Sequence, residues 1–306
     1  MEAGFGIVSD GSCDLPEQVV RERGLEIVHF SVAFEGEEYR KEGVEVSLDE
    51  FYQRMVDEPK RYPKTAAPSP EDFLEAFRRC AEKGLDVVCV CISTKLSSSV
   101  QSAQIAARTL TEEFPGVRVE VVDSLCATLM QSAFVLELCR MRDDGRSVDE
   151  VLERVEPLRK SARIFFTVGD LDYIQHGGRI GRMTSIAGTL LNVKPLITLQ
   201  DGEIHSSGIR RGRRKSLEGV VDLLIGYLRE KGCGTNGLTP EDFGILLGYS
   251  YDREEGVRVQ AMTQERLEKA FGKRVEIPLC RIGATIGVHA GPTSLGFGVV
   301  RRFDRL

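Results

Sequence analysis

The sequence holds only 8 cysteines among 306 residues, which is too few for a small scaffold held together by disulfides. It contains no apolar run near the roughly 18 residues that a membrane-spanning helix needs. Residues 1–14 lack the basic region, the long apolar core and the small-residue cleavage site of a secretory signal. We therefore expect a cytoplasmic protein with reduced thiols and no integral membrane association.

Motifs typical of nucleotide and metal sites are absent as well. There is no G-x-x-x-x-G-K-[ST] phosphate loop, no G-x-G-x-x-G after a strand, and no H-E-x-x-H, G-x-S-x-G or calcium-binding loop. The four histidines are scattered along the chain, and no cysteine lies at zinc-finger spacing from them. These absences leave a standard nucleotide site unsupported, and we predict no metal and no cofactor.

Charge is distributed unevenly along the chain, although the net charge is only −6. Residues 1–60 contain 15 acidic and 6 basic residues, whereas residues 158–215 contain 11 basic and 4 acidic residues. A nucleic-acid-binding domain usually has a basic footprint over its whole surface, so the net charge argues against that function. The basic middle segment is where we expect the protein to meet an anion.

Strand and helix patterns alternate along the first half of the chain. Residues 85–92 (LDVVCVCI) are apolar and rich in β-branched side chains, as in a parallel strand buried on both faces. Asp14 is a candidate helix N-cap, and Ser47 with Glu50 form a candidate capping box. Ser69, followed by a proline, begins another helix. Further strands are predicted at residues 5–9, 26–34 and 117–122, and helices at residues 70–84, 99–110, 125–141 and 148–160.

The second half has a mixed pattern. Strands are predicted at residues 163–168, 195–199, 243–250, 274–279 and 295–302, and helices at residues 214–231 and 254–271. The predicted fold class is α/β, with two α/β domains. The N-terminal domain, residues 1–160, has a mostly parallel sheet with flanking helices. The C-terminal domain, residues 161–306, has a mixed sheet with helices.

The first candidate binding segment is residues 64–70 (KTAAPSP). Its prolines favour an extended loop that ends on a helix cap, where the hydroxyl of Thr65 could donate a hydrogen bond to a ligand. The same pattern also fits a plain connecting loop, and pattern alone favours that interpretation.

The second candidate segment is residues 92–99 (ISTKLSSS), which follow the buried strand and begin a helix. Ligands of open α/β sheets bind at the carboxyl ends of strands, and a helix N-terminus attracts carboxylate or phosphate through its unpaired N–H groups. Ser97 or Ser98 would add a hydroxyl donor, which suits an acid whose other end is apolar. The alternative is that one serine only caps the helix.

Two further segments are basic. Residues 176–182 (HGGRIGR) combine Arg179 and Arg182 with paired glycines, which permit positive φ angles and close backbone approach. Residues 209–215 (IRRGRRK) place five basic residues in six positions, and arginine can bind phosphate through two parallel hydrogen bonds. Each segment could instead be a solvated surface.

Two segments with several glycines or small residues complete the set. Residues 188–195 (GTLLNVKP) have the pattern of a helix that ends before a strand. Residues 283–292 (GATIGVHAGP) have that of a glycine-rich strand-to-loop segment around His289. A lone histidine is more often structural, but the small neighbours leave room for a partner.

In their order and spacing, these segments resemble the DegV family of bacterial fatty-acid-binding proteins. Residues 7–16 (IVSDGSCDLP) are similar to the family's opening strand and D-S-x-x-D-L-P turn, residues 65–69 (TAAPS) to its T-S-Q-P-S loop, and residues 92–103 (ISTKLSSSVQSA) to I-S-S-x-L-S-G-T-Y-Q-S-A. The most specific matches are residues 170–180 (DLDYIQHGGRI) and 190–195 (LLNVKP). Residues 122–124 (VDS), 211–215 (RGRRK) and 287–292 (GVHAGP) complete the series.

The resemblance implies a carrier rather than an enzyme. Family members bind one long-chain fatty acid in a tunnel between two α/β domains. Several present its carboxylate to a separate fatty acid kinase, which forms the acyl-phosphate. Carried over to this chain, the resemblance implies that Thr65, Ser97 and the backbone N–H of Ser98 bind the carboxylate.

The resemblance also assigns residues to the tunnel mouth. Arg179, Arg211 and His289 match positive positions near the mouth that serve phosphate handling and kinase docking. A tunnel for an acyl chain needs an apolar lining, for which the candidates are Ile186, Leu190 and Leu191.

The sequence departs from the family pattern at both head-group loops. Ala66 and Ala67 replace Ser-Gln in the first loop. Ser98, Ser99 and Val100 replace Gly-Thr-Tyr in the second. Smaller side chains are expected to reshape the tunnel head, and a serine in place of glycine could move the backbone donor.

Two other functions are compatible with the basic segments. Fold relatives of the family include a dihydroxyacetone kinase domain, so a phosphotransfer enzyme acting on a small phosphorylated substrate is an alternative. The missing phosphate loop counts against it. Nucleic-acid binding through residues 210–215 is a weaker alternative, and it would show a steep loss of affinity with salt.

Overall fold

The computed structural model of the chain describes residues 4–169, 171–180 and 193–306. Its strands are β1 (Phe5–Asp10), β2 (Leu25–Val28), β3 (Ser31–Ala33), β4 (Arg40–Lys41), β5 (Lys64–Ala66), β6 (Asp86–Cys91), β7 (Val119–Asp123), β8 (Arg163–Thr167), β9 (Val193–Gln200), β10 (Glu203–Arg211), β11 (Phe243–Tyr249), β12 (Leu279–Arg281) and β13 (Leu295–Arg301). Its helices are α1 (Glu17–Glu22), α2 (Leu48–Asp57), α3 (Pro70–Ala81), α4 (Ser99–Glu113), α5 (Thr128–Asp143), α6 (Val148–Ser161), α7 (Asp172–His176), α8 (Arg213–Glu230), α9 (Arg253–Phe271) and α10 (Ala284–Ala290).

The N-terminal sheet is parallel and has the strand order β2-β1-β6-β7. Strand β6 is buried on both faces, as its β-branched sequence predicts. Val87 and Cys89 pack with α3 and α4, whereas Val88 and Val90 pack with residues of α5. A separate small antiparallel sheet, β4-β3-β5, carries the chain from β2 towards α3.

The C-terminal sheet is mixed, with the order β10-β9-β8-β13-β11-β12. Its neighbouring strands are antiparallel except for the parallel pair β11 and β12. Together the two large sheets confirm the predicted α/β class, with a parallel sheet in the first half and a mixed sheet in the second.

Helix α5 connects the two large sheets. It contacts β13 and β11 of the C-terminal sheet and also β1 of the N-terminal sheet. Gly298 on β13 makes this approach possible, because a Cβ there would overlap backbone atoms of Leu129 and Met130. Helix α6 likewise contacts β13. Helices of the first half thus pack across the predicted boundary near residue 160, and that boundary stays a prediction.

Two predicted helix starts differ from the structure. Asp14 is not the N-cap of α1, since Pro16 holds that position and Asp14 is buried in a left-handed conformation (φ 50°). Ser47 does cap α2, but Glu50 does not complete a capping box and pairs instead with Arg40 at 2.9 Å. The capping box at Ser69 forms with Asp72, so the start of α3 is confirmed.

Three predicted strand segments are also wrong in detail. Residues 26–34 form two strands, because β2 joins the parallel sheet and β3 joins the small one. Residues 274–278 are not a strand, because the carbonyls of Val275 and Ile277 accept hydrogen bonds from glutamine side chains of α9. Residues 284–290 form helix α10 and not a strand-to-loop segment.

The eight cysteines are buried free thiols. Within the residues that the structure describes, no helix is both long and apolar enough to cross a membrane. In the same part of the chain, no three His, Cys, Asp or Glu side chains are grouped so that they could hold a metal ion.

Candidate functional site

A cavity of about 200 Å³ lies between the N-terminal and C-terminal sheets. Most of its wall is apolar and comes from both halves of the chain, including Ile92, Leu129, Ile164, Phe166, Leu199, Ile204, Ile282 and Ile286. Arg179 is the one Lys or Arg among the described lining residues, and none of those residues is acidic. An apolar wall with a single arginine suits a ligand that has a long hydrocarbon part and one negative charge.

The loop between β6 and α4 brings serine hydroxyls to the cavity. The N–H groups of Leu96 and Ser97 both donate to the carbonyl of Ser93, at 2.9 and 3.1 Å, which closes a tight turn. Ser97 Oγ accepts a hydrogen bond from the Ser99 N–H at 3.2 Å, so the hydroxyl hydrogen of Ser97 remains available to another acceptor. Ser98 is the N-cap of α4, but its side chain makes no capping hydrogen bond.

Asp10, at the end of β1, fixes both ends of this loop. Its carboxylate accepts hydrogen bonds from the Ile92 N–H at 2.9 Å and from Ser99 Oγ at 2.6 Å. Ser12 and Gln131 donate to the same carboxylate. Burial raises the pKa of Asp10 in spite of these hydrogen bonds. The sequence places Asp10 in the turn after the first predicted strand and does not reveal this positioning role.

Thr65 and His289, which are 224 positions apart, meet at the cavity. Thr65 lies on β5, and its Oγ1 is 3.2 Å from Nε2 of His289 near the end of α10. Nδ1 of His289 is buried and has no hydrogen-bond partner among the described residues. If Nε2 carries the ring proton, the imidazole donates to Thr65, and the threonine hydroxyl keeps its own hydrogen for a ligand.

His289 is held in its neutral form. Burial, and then the positive charge of Arg179, lower the pKa of His289 to about 4. A neutral imidazole leaves the guanidinium of Arg179 as the charge that an anionic ligand would meet here.

The low pKa of His289 predicts a pH-dependent contribution to stability. The unfolded chain binds a proton at this histidine below about pH 6.5, whereas the folded chain does so only near pH 4. Stability is therefore lost as the pH falls through this window. Between pH 7 and pH 4.5, the free energy of unfolding should fall by about 2 kcal/mol more for the wild type than for a His289→Asn variant. Urea unfolding at both pH values measures this, and parallel pH profiles would contradict it.

Arg179 connects the loop between β6 and α4 with the residues that directly follow α7. Its Nε donates to the Leu96 carbonyl at 3.2 Å, and one terminal nitrogen donates to the Gly177 carbonyl at 2.7 Å. Gly178 adopts a φ of 69°, and a Cβ on Gly177 would overlap the ring of His289. The structure thus confirms that the paired glycines permit a left-handed turn and close backbone approach.

The other predicted site residues fall into three groups. Ser98 lines the cavity next to Ser97. Arg211 is exposed at the end of β10 and is not among the described lining residues. Arg182, residues 188–192 and the predicted lining residues Ile186, Leu190 and Leu191 lie outside the described residues. Thr128 and Thr285 also line the cavity, although neither is among the predicted site residues.

A second crevice, of about 290 Å³, adjoins the cavity at Ser294, which lines both. Lys194 and Arg213 also line it, and Arg213 pairs with Glu255 at 3.0 Å. Arg213, Arg214 and Lys215 form the first turn of α8, and Gly212 at its N-cap supplies no side-chain hydrogen bond. Asp252 and Glu255 line the same crevice, so its lining charges balance. The basic excess lies at the uncapped N-terminus of α8, which favours an anionic partner there.

Comparisons with known proteins agree over almost the whole chain. A family model described as "Uncharacterised protein, DegV family" matches residues 4–302. A stearic acid-binding protein from Eubacterium ventriosum is 38% identical with a TM-score of 0.90, covering 99% of this chain and 100% of its own. A fatty-acid-binding DegV family protein from Thermus thermophilus is 31% identical with a TM-score of 0.83, covering 97% and 99%. A DegV domain-containing protein from Caldanaerobacter subterraneus is 31% identical over 295 residues, which is 95% of this chain and 97% of its own.

Proposed function

The chain belongs to the DegV family, and on this premise we propose that it binds one long-chain fatty acid in the cavity between its two large sheets. The observation that carries the proposal is the cavity itself, whose apolar wall contains hydroxyl groups and one arginine. The relatives from Eubacterium ventriosum and Thermus thermophilus bind fatty acids, which supports the same ligand class here.

The polar groups supply donors for a carboxylate. Thr65 and Ser97 each keep a hydroxyl hydrogen in the arrangement described above, and a carboxylate has only acceptors. Arg179 provides the neutralising charge, because His289 is neutral at physiological pH. The head group would therefore lie among Thr65, Ser97 and Arg179, beside the N-terminus of α4.

The apolar wall supplies the affinity for the acyl chain. Each buried CH₂ group contributes about 0.8 kcal/mol, so a sixteen-carbon chain gains on the order of 10 kcal/mol before ordering costs are subtracted. The hydrogen bonds of the head group contribute less than this. They fix the direction in which the chain enters, with the acid at Arg179 and the methyl end away from it.

Organic extraction of the purified protein tests the proposal directly. The extract should contain one long-chain fatty acid per chain, identified and quantified by mass spectrometry. A delipidated sample should then rebind palmitic acid in isothermal titration calorimetry. An extract without acyl chains, together with no heat on adding palmitic acid, would refute fatty-acid binding.

Replacing Ser97 with alanine should weaken palmitic acid binding about 10-fold, since a hydrogen bond to a charged group is worth about 1.5 kcal/mol. The variant also removes the acceptor of the Ser99 N–H. Ser102→Ala is a matched control, because Ser102 lies one turn further along α4, away from the cavity lining. Calorimetry on delipidated proteins compares the three, and wild-type affinity for Ser97→Ala would remove Ser97 from the site.

We further propose that the loaded protein acts in the cytoplasm as a carrier, presenting the carboxylate to a fatty acid kinase. The basic first turn of α8, with Arg214 and Lys215, and the exposed Arg211 just before it support an anionic or phosphate-bearing partner on this face. In the test, ATP and a fatty acid kinase should yield acyl-phosphate from palmitic acid only when this protein is added. ATP turnover by this protein alone would favour a phosphotransfer enzyme instead.

A further inference from the structure

Helix α10, which carries His289, begins against two buried carboxylates from the first half of the chain. Asp14 follows β1 and is 7% exposed, and Glu42 follows β4 and is 6% exposed. Among the described residues, no Lys, Arg or His is one of the main influences on the pKa of either carboxyl. Burial raises both pKa values, and the nearby Glu42 raises that of Asp14 further. Burying a carboxylate without a cation lowers the free energy of unfolding. Two such groups at one helix start therefore suggest that they have a function there.

The two carboxylates have different hydrogen-bond partners. Glu42 accepts from three donors at the start of α10, which are the Ala284 N–H, the Thr285 N–H at 2.9 Å and Thr285 Oγ1 at 2.5 Å. Asp14 accepts from the Gly283 N–H at 2.9 Å and pairs with Thr128 Oγ1 at 2.5 Å. Glu42 thus contacts two backbone N–H groups, which can only donate, whereas one partner of Asp14 is a hydroxyl, which can also accept.

The start of α10 is built to receive these carboxylates. A Cβ on Gly283 would overlap both Glu42 and Asp14, so the helix can approach only because this residue is glycine. Tyr52 holds the preceding carbonyls, since its hydroxyl lies 3.0 and 3.1 Å from the oxygens of Ile282 and Gly283. The placement of the helix, and of everything it carries, therefore depends on groups outside the cavity.

Helix α10 contributes both polar and apolar residues to the wall of the cavity. Thr285, Ile286, His289 and Ala290 all line it. The helix is only seven residues long, about 10 Å, so a tilt at its start displaces His289 at its end. The 3.2 Å contact between His289 and Thr65 depends on this placement, which the packing of α10 against α2, α7 and β5 also supports.

We propose that Glu42 is a positioning residue of the fatty-acid site, which sets the orientation of α10 and thereby holds His289 against Thr65. This inference rests on the proposed binding of a fatty acid in the cavity. It assigns a function to a buried carboxylate that is not itself a cavity-lining residue but binds one, Thr285.

Because Glu42 and Asp14 have different hydrogen-bond partners, replacing each with its amide should have different effects on α10. In Glu42→Gln, one oxygen becomes an NH₂ group, which must face a backbone N–H of Ala284 or Thr285, and one donor loses its acceptor. In Asp14→Asn, the remaining oxygen can still accept from the Gly283 N–H, and the NH₂ group can donate to the Thr128 hydroxyl. Both variants replace a buried carboxyl group with an amide of similar shape, but only Glu42→Gln disturbs the start of α10.

The test is a double-mutant cycle with His289→Ala, measured as palmitic acid affinity of delipidated proteins. Glu42→Gln should weaken binding about 10-fold in the wild-type background and less than about 3-fold in the His289→Ala background. Asp14→Asn and the exposed control Glu38→Gln should each stay within about 2-fold of the wild type. Equal losses in both backgrounds, wild-type affinity for Glu42→Gln, or an equal effect of Asp14→Asn would overturn the inference.

A second measurement does not depend on ligand binding. In the ligand-free protein, the ring ¹⁵N and ¹³C resonances of His289 should shift in Glu42→Gln and not in Asp14→Asn, with His29, His176 and His205 as internal references. An unshifted His289 would overturn the positioning role even if the protein binds fatty acids. A shifted His289 in a protein that binds none would refute only the proposed function. If Glu42→Gln does not fold, Glu42→Asp, which keeps the charge but shortens the reach, enters both measurements in its place.

Discussion

An Arg179→Met variant should bind palmitic acid about 30-fold more weakly than the wild type, a loss of about 2 kcal/mol. Arg179 is the one Lys or Arg among the described residues that line the cavity, and His289 is neutral at physiological pH. A carboxylate in an apolar cavity without a cation loses both its charge partner and its charge-assisted hydrogen bonds. Methionine keeps much of the apolar stem of arginine, so the change is chiefly one of charge.

Two comparisons isolate the charge of Arg179 from its bridging role. Arg179→Lys keeps the positive charge but cannot donate to both the Leu96 and the Gly177 carbonyls, so it should lose less affinity than Arg179→Met. Arg108→Met, at an exposed position on α4, should bind as the wild type does. Calorimetry on the delipidated proteins measures all four. An Arg179→Met affinity within about 3-fold of the wild type would contradict the assignment of the head-group site.

A Gly298→Ala variant should lose about 3 kcal/mol of stability or fail to fold. A Cβ at this position would overlap the backbone of Leu129 and Met130, which cannot turn aside as a flexible side chain can. Helix α5 would have to move away from β13, and its first turn also lines the cavity through Thr128 and Leu129. The expected loss of stability therefore comes from overpacking between α5 and β13.

Gly226→Ala is the matched control for this glycine substitution. Gly226 lies exposed in the interior of α8, and a Cβ there would meet no atom within 4 Å. Alanine should stabilise the helix by about 0.5–1 kcal/mol, because glycine has the larger conformational entropy to lose. Urea unfolding midpoints compare both variants with the wild type. A Gly298→Ala protein that loses less than about 1 kcal/mol would show that α5 is not fixed by this contact.

The sequence predicts those elements that are determined by neighbouring residues, such as a run of β-branched side chains or a helix cap. The β-branched run of β6 and the serine-proline start of α3 both appear in the structure close to their predicted bounds. The sequence marks Thr65, Ser97 and His289 as candidates in three separate segments, and the structure brings all three to one cavity. Their proposed contact with a carboxylate follows from the family resemblance and stays a prediction.

Features that depend on distant partners were not predictable from local sequence. The glycines at residues 283, 287 and 291 suggested a loop, but Gly283 and Gly287 are small so that α10 can approach Glu42 and Tyr52. Asp14 has the pattern of a helix cap, yet its partners, Gly283 and Thr128, are more than 100 positions away. A single sequence does not show such pairs, because each residue alone has an ordinary local interpretation.

The packing of α5 between the two large sheets determines how the protein unfolds. A chain cut near residue 160 would leave the face of α5 that contacts β11 and β13 without its partner strands. In the intact chain, unfolding of either half would expose the apolar core of the other half to water. The two sheets should therefore unfold together in one cooperative transition. A ligand in the cavity between them would raise the melting temperature of the whole chain, and no half would remain as a folded remnant.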